Sequence, residues 1–220
     1  MFRYVIVSTG LIIPVKNLKN SKSRLSKNLE ISNRIELSKQ MLMSVVDVAH
    51  ASGTINEIVV ISPDENVKDI IQHHTVSFIK EFGNFSVNNA VSIGIDYFEK
   101  KNYNSALILP IDLICLTVSD VQNIVDMGKK YDIVLTPSKD GNGTNALYLK
   151  LPNVFHTSFD NSSLNNHILE SFKKRLTMKI YVSYSTIMDV DSFDDLSFII
   201  THSNSSDTSS IDYLYDKLHN

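Results

Sequence analysis

Tryptophan is absent from this chain of 220 residues, and cysteine occurs once, at Cys115. The single cysteine excludes an intrachain disulfide and a metal site built from several cysteines. It also favours a reducing compartment, so we expect a cytoplasmic protein. No apolar run is long enough to span a bilayer. Residues 4–7 and 11–13 are apolar but precede basic residues without a cleavage pattern, which predicts strands rather than a signal peptide.

Neither sign of charge dominates, because 21 basic and 24 acidic residues leave a net charge of -3 at pH 7. We therefore expect no nucleic-acid partner, since non-specific binding to phosphates needs excess positive charge, and no membrane partner. The hydrophobic fraction of 43% is typical of a globular chain with a full core. We expect one domain over residues 1–202, followed by a polar linker and a short helix over residues 203–220.

Apolar runs rich in valine and isoleucine alternate with helical patterns along the chain. This alternation predicts an α/β fold: a mostly parallel twisted sheet of about seven strands with helices on both faces. The predicted strands are residues 11–15, 57–61, 76–79, 106–109, 133–136, 146–149 and 180–183. The predicted helices are residues 32–50, 66–72, 86–98, 119–129, 163–172 and 193–200, with Ser86, Ser119 and Ser192 as caps.

A basic segment follows the first predicted strand. It places five cations within residues 16–27, namely Lys16, Lys19, Lys22, Arg24 and Lys27. Ligands of open α/β sheets bind at the carboxyl ends of the strands, where lysine and arginine can neutralise a triphosphate. The segment lacks the G-x-x-x-x-G-K-[ST] pattern of a P-loop. A solvated basic loop is the alternative interpretation.

Three aspartates are candidate metal ligands. Asp112 follows the predicted strand 106–109, and Asp189 and Asp191 alternate in an extended segment that points both carboxylates to the same side. Two close carboxylates repel each other unless a cation lies between them, so a divalent metal such as Mg2+ is favoured. The alternative is that Asp191 or Ser192 only caps the helix that follows.

Two of the seven glycines fall within residues 140–145, directly before the apolar run 146–149. Paired glycines indicate a tight turn or close approach to a ligand, and backbone N–H groups with Thr144 and Asn145 suit a small anion. An ordinary hairpin turn is equally consistent with the pattern. Further on, Ser163 could cap a helix or donate to an anion, and His167 lies one turn later, where a lone histidine is more often structural.

Four segments in order, LIIPVKNLKNSKSRL, LPIDLICL, DGNGTNALYL and MDVDSFDDL, resemble the 2-phospho-L-lactate or phosphoenolpyruvate guanylyltransferases of coenzyme F-420 biosynthesis. The resemblance covers residues 11–196 and implies a MobA-like, nucleotide-diphospho-sugar-transferase-like fold. It implies attack by an acceptor phosphate oxygen on the α-phosphorus of GTP, with release of pyrophosphate and no general base. It implies Mg2+ ligands at Asp112, Asp189 and Asp191, and catalytic, nucleotide-binding cations at Lys16, Lys22 and Arg24.

The resemblance also assigns the remaining site residues. It places Asn88 near the guanine base, and acceptor contacts at Gly143, Thr144, Asn145, Asp160, Ser163 and His167. Two positions depart from the family pattern, since Asp160 replaces a glycine and Ile114 replaces a proline. A carboxylate at position 160 would repel an anionic acceptor.

The resemblance implies GTP and a phosphorylated three-carbon acid as partners, and we expect a homodimer because twofold dimers are the commonest oligomers. Two other functions remain open. One is a GT-A-like glycosyltransferase that uses a nucleotide sugar through an Asp-x-Asp pair. The other is a non-catalytic nucleotide-binding protein.

Overall fold

The computed structural model describes residues 8–83 and 85–202. Its strands are β1 (Thr9–Pro14), β2 (Glu57–Ser62), β3 (Val76–Lys80), β4 (Ser105–Ile108), β5 (Ile133–Pro137), β6 (Thr144–Lys150) and β7 (Met178–Ile180). Its α-helices are α1 (Ile31–Ala51), α2 (Asn66–Ile71), α3 (Val87–Lys100), α4 (Val118–Gly128), α5 (Ser163–Lys173), α6 (Tyr184–Ile187) and α7 (Phe193–His202). The expectations for residues 1–7 and 203–220 lie outside the described residues.

The strands form one sheet in the order β3-β2-β1-β4-β6-β5-β7. Strand β6 runs antiparallel to β4 and β5, whereas the other neighbouring pairs are parallel. The prediction of a mostly parallel sheet of about seven strands is confirmed. Because β6 is reversed, its first residue lies at the same edge as the carboxyl ends of β1, β4 and β5. The predicted ligand-binding edge therefore also receives the start of β6.

Apolar side chains fill both faces of the sheet. Alternate residues of β1 serve opposite faces, with Leu11 and Ile13 in one core and Ile12 in the other. The first core packs under α1, α2, α4 and α7, and the second packs under α3 and, more loosely, α5. The predicted helices on both faces are confirmed, and burial of this apolar surface stabilises the sheet that positions the site.

Most predicted boundaries agree with the structure, and the exceptions have local causes. The last strand is Met178–Ile180 instead of residues 180–183. Among the described residues it is an edge strand that pairs with β5 alone, so its partly exposed side chains give no clear apolar pattern. Strands β1 and β6 begin at Thr9 and Thr144, each two residues earlier than predicted.

The predicted helix caps are partly correct. The Ser86 and Ser192 hydroxyls accept hydrogen bonds from the N–H groups of Asn89 and Asp195, as expected. The prediction of Ser119 as a cap is wrong, because the Thr117 hydroxyl caps α4 and forms a reciprocal capping box with Asp120.

The short helix α6 is absent from the sequence prediction. Ser183 caps it, and the hydroxyls of Ser183 and Ser185 donate to the buried Asp120 carboxylate at 2.7 Å and 2.6 Å. Burial would raise the pKa of Asp120, but hydrogen bonds from Ser185, Thr117 and Ser183 hold it below its usual value. Asp120 thus fixes the segment that leads into Asp189.

Gly128 allows close approach of α4 to the fully buried Tyr148 of β6. A Cβ at position 128 would lie 2.2 Å from Tyr148 Cζ. We expect Gly128→Ala to lower the free energy of unfolding by about 1–3 kcal/mol, because the ring or the helix must shift. Urea denaturation would measure this loss, with the exposed neighbouring substitution Lys129→Ala as control. Equal stability of Gly128→Ala and the wild type would contradict the expectation.

Candidate active site

Two adjoining cavities, of about 400 Å³ and 800 Å³, open at the carboxyl edge of the sheet. Residues 14–16 and 21–24 line the first cavity. Residues 138–140, 142–145 and 159–163 line the second, together with part of the segment 189–195. Both are lined by Arg24, Asp112 and Asp191, which therefore lie at their junction. The basic segment and the glycine-containing loop, far apart in sequence, face a common space.

Lys22 is the buried member of the basic segment. Its Nζ lies 2.6 Å from Asp112 Oδ1 and donates to the Val190 carbonyl at 2.6 Å. Its backbone adopts the left-handed conformation, with φ of 51°, and starts a short 3-10 turn. The lysine thereby links the end of β4 to the segment that carries Asp189 and Asp191.

The other cations of the basic segment divide by location. Lys16 and Arg24 line the first cavity together with Lys22, whereas Lys19 and Lys27 are exposed and line neither cavity. Arg24 Nη1 lies 2.8 Å from Asp191 Oδ2 across the junction. The structure therefore brings together the three cations that the resemblance singled out.

The three aspartates line the wall of the second cavity. The Val190 N–H donates to the Asp112 carbonyl at 3.1 Å, which joins the two segments directly. Burial raises the pKa of the Asp189 carboxyl, and repulsion from Asp191 adds to this effect. Lys22 and Arg24 hold Asp112 and Asp191 in ion pairs. Within residues 8–83 and 85–202, no three acidic, histidine or cysteine side chains converge on a single metal position.

Asn145 supports Asp189 from within β6. It is 6% exposed, and its Nδ2 donates to the Thr186 carbonyl at 3.1 Å and to Asp189 Oδ1 at 3.3 Å. It also contributes to the wall of the second cavity. The amide N–H groups of Asn145 are thus directed to α6 and Asp189. The resemblance implies that Asn145 contacts the acceptor substrate, and the structure places it beside the aspartates.

The loop over residues 138–143 uses its backbone donors internally. Gly143 N–H donates to Ser138 Oγ at 2.7 Å, Asn142 N–H to Asp140 Oδ1 at 3.0 Å, and Gly141 N–H to the Ser138 carbonyl at 2.9 Å. Hydrogen bonds from Ser138 and Asn142 lower the pKa of Asp140 to about 2. In this conformation these amides are therefore engaged within the loop, which connects the antiparallel strands β5 and β6, and anion binding by the loop stays a prediction.

Thr144, Ser163 and His167 form a hydrogen-bonded group behind that loop. Thr144 Oγ1 lies 2.9 Å from His167 Nδ1 and accepts from Ser163 Oγ at 3.2 Å. Ser163 is the first residue of α5, whose cap position is Ser162, so Ser163 does not cap the helix. Thr144 and Ser163 line the second cavity. His167 is fully buried and does not line that cavity, but it forms a hydrogen bond with Thr144, which does.

Asn88 does not line the first cavity, where the three cations lie. It lines a separate cavity of about 210 Å³ on the outer side of α3. Its Oδ1 accepts from the Phe159 N–H at 2.7 Å, and its Nδ2 donates to Asp160 Oδ2 at 3.0 Å. The predicted guanine contact is therefore engaged with the loop that carries Asp160, which lines the second cavity.

Sequence reasoning missed Lys139 as a site residue. Lys139 lines the second cavity and forms an ion pair with Asp195. Asp195 Oδ2 also accepts from the N–H groups of Ser192, at 2.8 Å, and Asp191, at 3.1 Å, so it orients the Asp191 segment. The Ser-x-x-Asp spacing indicates this cap, but no pattern in the sequence connects Lys139 to it.

Every described helix is too short or too polar to cross a membrane.

The sequence profile of the family described as guanylyl transferase CofC like matches residues 9–218. A relative, the 2-phospho-L-lactate guanylyltransferase of Methanobrevibacter smithii, is 31% identical over 197 residues, which cover 90% of this chain and 86% of the relative. The profile match spans all the site segments described above.

Solved structures resemble this fold at low sequence identity. A protein from Desulfovibrio desulfuricans G20, assigned to the nucleotide-diphospho-sugar transferases, has a TM-score of 0.79 at 14% identity and covers 95% of this chain and 94% of its own. A manganese complex from Mycobacterium tuberculosis H37Rv has a TM-score of 0.57 at 13% identity and covers 89% of this chain and 98% of its own. The fold therefore resembles that of the nucleotide-diphospho-sugar transferases, as expected. Because the family profile spans nearly the whole chain, the chain belongs to the guanylyl transferase CofC-like family.

Proposed function

We propose that this protein transfers a guanylyl group from GTP to the phosphate of a small phosphorylated three-carbon acid and releases pyrophosphate. The observation that carries the proposal is the junction of the two cavities at Asp112 and Asp191. The first cavity contains cations of the basic segment and is the cationic side of this junction, whereas the second cavity contains the hydroxyls of Thr144 and Ser163. The name of the M. smithii relative identifies 2-phospho-L-lactate as the first acceptor to test. Phosphoenolpyruvate, which has the same charged groups, is the second.

The cationic side suits a nucleoside triphosphate. Lys16, Lys22 and Arg24 line the first cavity and offset the charge of a triphosphate through charge-assisted hydrogen bonds. The cavity is also lined by two apolar residues, Phe85, which precedes α3, and Val87, with which α3 begins. An aromatic and an aliphatic side chain next to a phosphate site are suited to a nucleoside.

A divalent cation is the proposed occupant of the aspartate wall, although its three carboxylates do not converge on one position in this conformation and two of them are in ion pairs with the basic segment, which would have to open. Asp112, Asp189 and Asp191 present the carboxylate oxygens that Mg2+ prefers. Burial raises the pKa of Asp189 even though Lys139 lowers it in part, so a further cation beside this carboxylate would stabilise its ionised form. We propose these three residues as the ligands of Mg2+. A bound divalent cation would neutralise charge on the phosphates during transfer.

The reaction needs no general base from the protein. The attacking group is a phosphate oxygen that is already anionic at neutral pH; it forms a bond to the α-phosphorus as the bond to the pyrophosphate oxygen breaks. The chain's own contribution is to align the two substrates and to balance charge, which is the usual basis of enzymatic phosphoryl transfer. Thr144 and Ser163 line the second cavity and bind the acceptor there.

Pyrophosphate release tests the proposal directly. The purified protein is incubated with GTP, Mg2+ and either 2-phospho-L-lactate or phosphoenolpyruvate, and pyrophosphate is measured. We expect release that depends on both GTP and an acceptor acid. In a parallel incubation with a nucleotide sugar, consumption of that sugar would indicate the glycosyltransferase alternative. GTP binding without any turnover would indicate a non-catalytic protein.

Asp160→Asn tests the departure from the family glycine. Asp160 is exposed at the second cavity, and asparagine can still accept the hydrogen bond from Asn88. Because the substitution removes only a negative charge, we expect the KM of the anionic acceptor to fall about two- to threefold, with the KM of GTP unchanged.

Steady-state kinetics at low ionic strength would measure this change. Asp96→Asn, on the exposed face of α3 and away from the second cavity, is the matched control. An acceptor KM that is unaffected in Asp160→Asn would contradict the expectation.

A further inference from the structure

We infer that His167 is a positioning residue that directs the Thr144 hydroxyl proton into the second cavity, toward an anionic oxygen of the acceptor. The inference rests on the proposed function for the identity of that acceptor. His167 itself lies outside the second cavity and acts through Thr144.

The hydrogen bonds of His167 identify its tautomer. The Ser158 backbone N–H, which can only donate, lies 2.9 Å from His167 Nε2. Nε2 is therefore the acceptor, and the single proton of a neutral imidazole lies on Nδ1. Nδ1 then donates to Thr144 Oγ1 at 2.9 Å.

The surroundings of His167 favour the neutral ring. The side chain is fully buried, and the rings of Phe159 and Phe155 lie with their centroids 5.0 Å and 5.5 Å away. Burial lowers the pKa of His167 to about 4, with a smaller effect from His156. A second proton would also place two N–H groups against each other at Ser158. His167 thus acts at neutral pH as a fixed donor without charge.

The bonds of Thr144 leave one direction for its proton. Thr144 Oγ1 accepts from His167 Nδ1 and also from Ser163 Oγ, at 3.2 Å. Two incoming donors occupy both lone pairs of the hydroxyl oxygen, so its own hydrogen must be donated elsewhere. Thr144 lines the second cavity, and within the described residues no hydrogen bond from its hydroxyl to a protein acceptor is formed. The complementary ligand group is an oxygen without hydrogen, as in a carboxylate or phosphate.

Two substitutions separate this role from simple packing. His167→Phe keeps a buried ring but removes the donor, and His167→Asn retains an amide N–H near the position of Nδ1. We expect His167→Phe to raise the acceptor KM about 10-fold, as for loss of a hydrogen bond to a charged group, with the KM of GTP unchanged. His167→Asn should recover part of that loss. Exposed His156→Phe is the matched control and should keep wild-type kinetics.

A double-mutant cycle tests whether the effect passes through Thr144. Thr144→Val should raise the acceptor KM as much as His167→Phe, and the double variant should be no worse than Thr144→Val alone. Additive losses would overturn the inference, because His167 would then act independently of Thr144. Thermal unfolding of each variant shows whether any loss reflects the folded fraction.

Nitrogen-15 NMR of the imidazole tests the tautomer without any assay of activity. We expect a protonated Nδ1 and an unprotonated Nε2 at pH 7 in the wild type, with the assignment made from His167→Phe or, if that variant is unfolded, from His167→Asn. The opposite tautomer or a doubly protonated ring would overturn the inference. If the wild type instead has the expected tautomer but transfers no guanylyl group to either acid, the proposed function fails and the hydrogen-bond assignment stands.

Discussion

Asp189→Asn is expected to reduce guanylyl transfer by about 1000-fold, because it removes an anionic oxygen ligand from the proposed cation site. The asparagine side chain has the same shape, so the surrounding contacts need not change. Asn145 Nδ2, which lies 3.3 Å from Asp189 Oδ1, can still donate to the amide oxygen. The expected loss of turnover therefore measures the effect of removing the negative charge and not an effect on packing.

The same substitution should leave the protein as stable as the wild type or more stable. Burial raises the pKa of Asp189 above that of the unfolded chain. The folded state consequently holds the proton more tightly, and the stability associated with this group is lost as the pH rises from the unfolded pKa through the folded one. At neutral pH the ionised carboxylate destabilises the fold, and asparagine removes that cost.

Pyrophosphate release and thermal unfolding at pH 7 would measure the two effects on one sample. Asp126→Asn is the matched control, since Asp126 is exposed on α4 and pairs with Lys129 away from both cavities. Retention of more than a tenth of wild-type turnover in Asp189→Asn would argue against a cation at this wall. A large drop in the melting temperature would show that Asp189 is structural. Asp112→Ala should lose turnover in the same way, with the fold intact.

Lys22→Met is expected to reduce turnover by about 100-fold, the size of effect seen when a single charge-stabilising donor is removed from an active site. Methionine has a similar length but no charge. The substitution leaves the Val190 carbonyl without its 2.6 Å donor and Asp112 without its 2.6 Å ion pair. The substitution therefore lowers the positive charge of the first cavity and also removes contacts that hold the aspartates in position.

Lys27→Met provides the comparison within the same basic segment. Lys27 is exposed and lines neither cavity, so its loss should change turnover less than twofold, as is common for surface charges. Equal activity of the Lys22→Met and Lys27→Met variants would mean that the segment acts only through its overall charge. Circular dichroism and melting curves separate loss of function from unfolding.

Much of the candidate site could be located from sequence because strand ends are local features. Prolines and apolar runs mark where β1 and β4 end, and the residues that follow, Lys16, Lys22 and Asp112, line the first cavity. Parallel strands share the edge at which their carboxyl ends meet. The sequence position of a charged residue directly after a parallel strand therefore predicts that it lies at this edge, before any of its contacts is known.

Hydrogen-bond partners were the part that sequence reasoning could not supply. The amides of residues 141–143 looked available to an anion but bond within their own loop. Asn88 is predicted to lie near the guanine base, and the sequence did not show that it also bonds to the loop of Phe159 and Asp160. In each case several partners were chemically equivalent, and only their positions in space distinguish them.

The sequence by itself determined the order of strands and helices, the apolar faces that pack on the sheet, and the types of residue at its ligand-binding edge. These follow from local periodicity and backbone preferences, which act over a few residues. The tertiary structure alone decided which cation meets which carboxylate and which side chains share a hydrogen bond. Arg24 and its partner Asp191 are 167 positions apart, and Thr144 and His167 are 23 apart. Such contacts depend on how the sheet closes around its core, and a reversal of one strand, β6, brings Thr144 to the edge where it can bind a ligand.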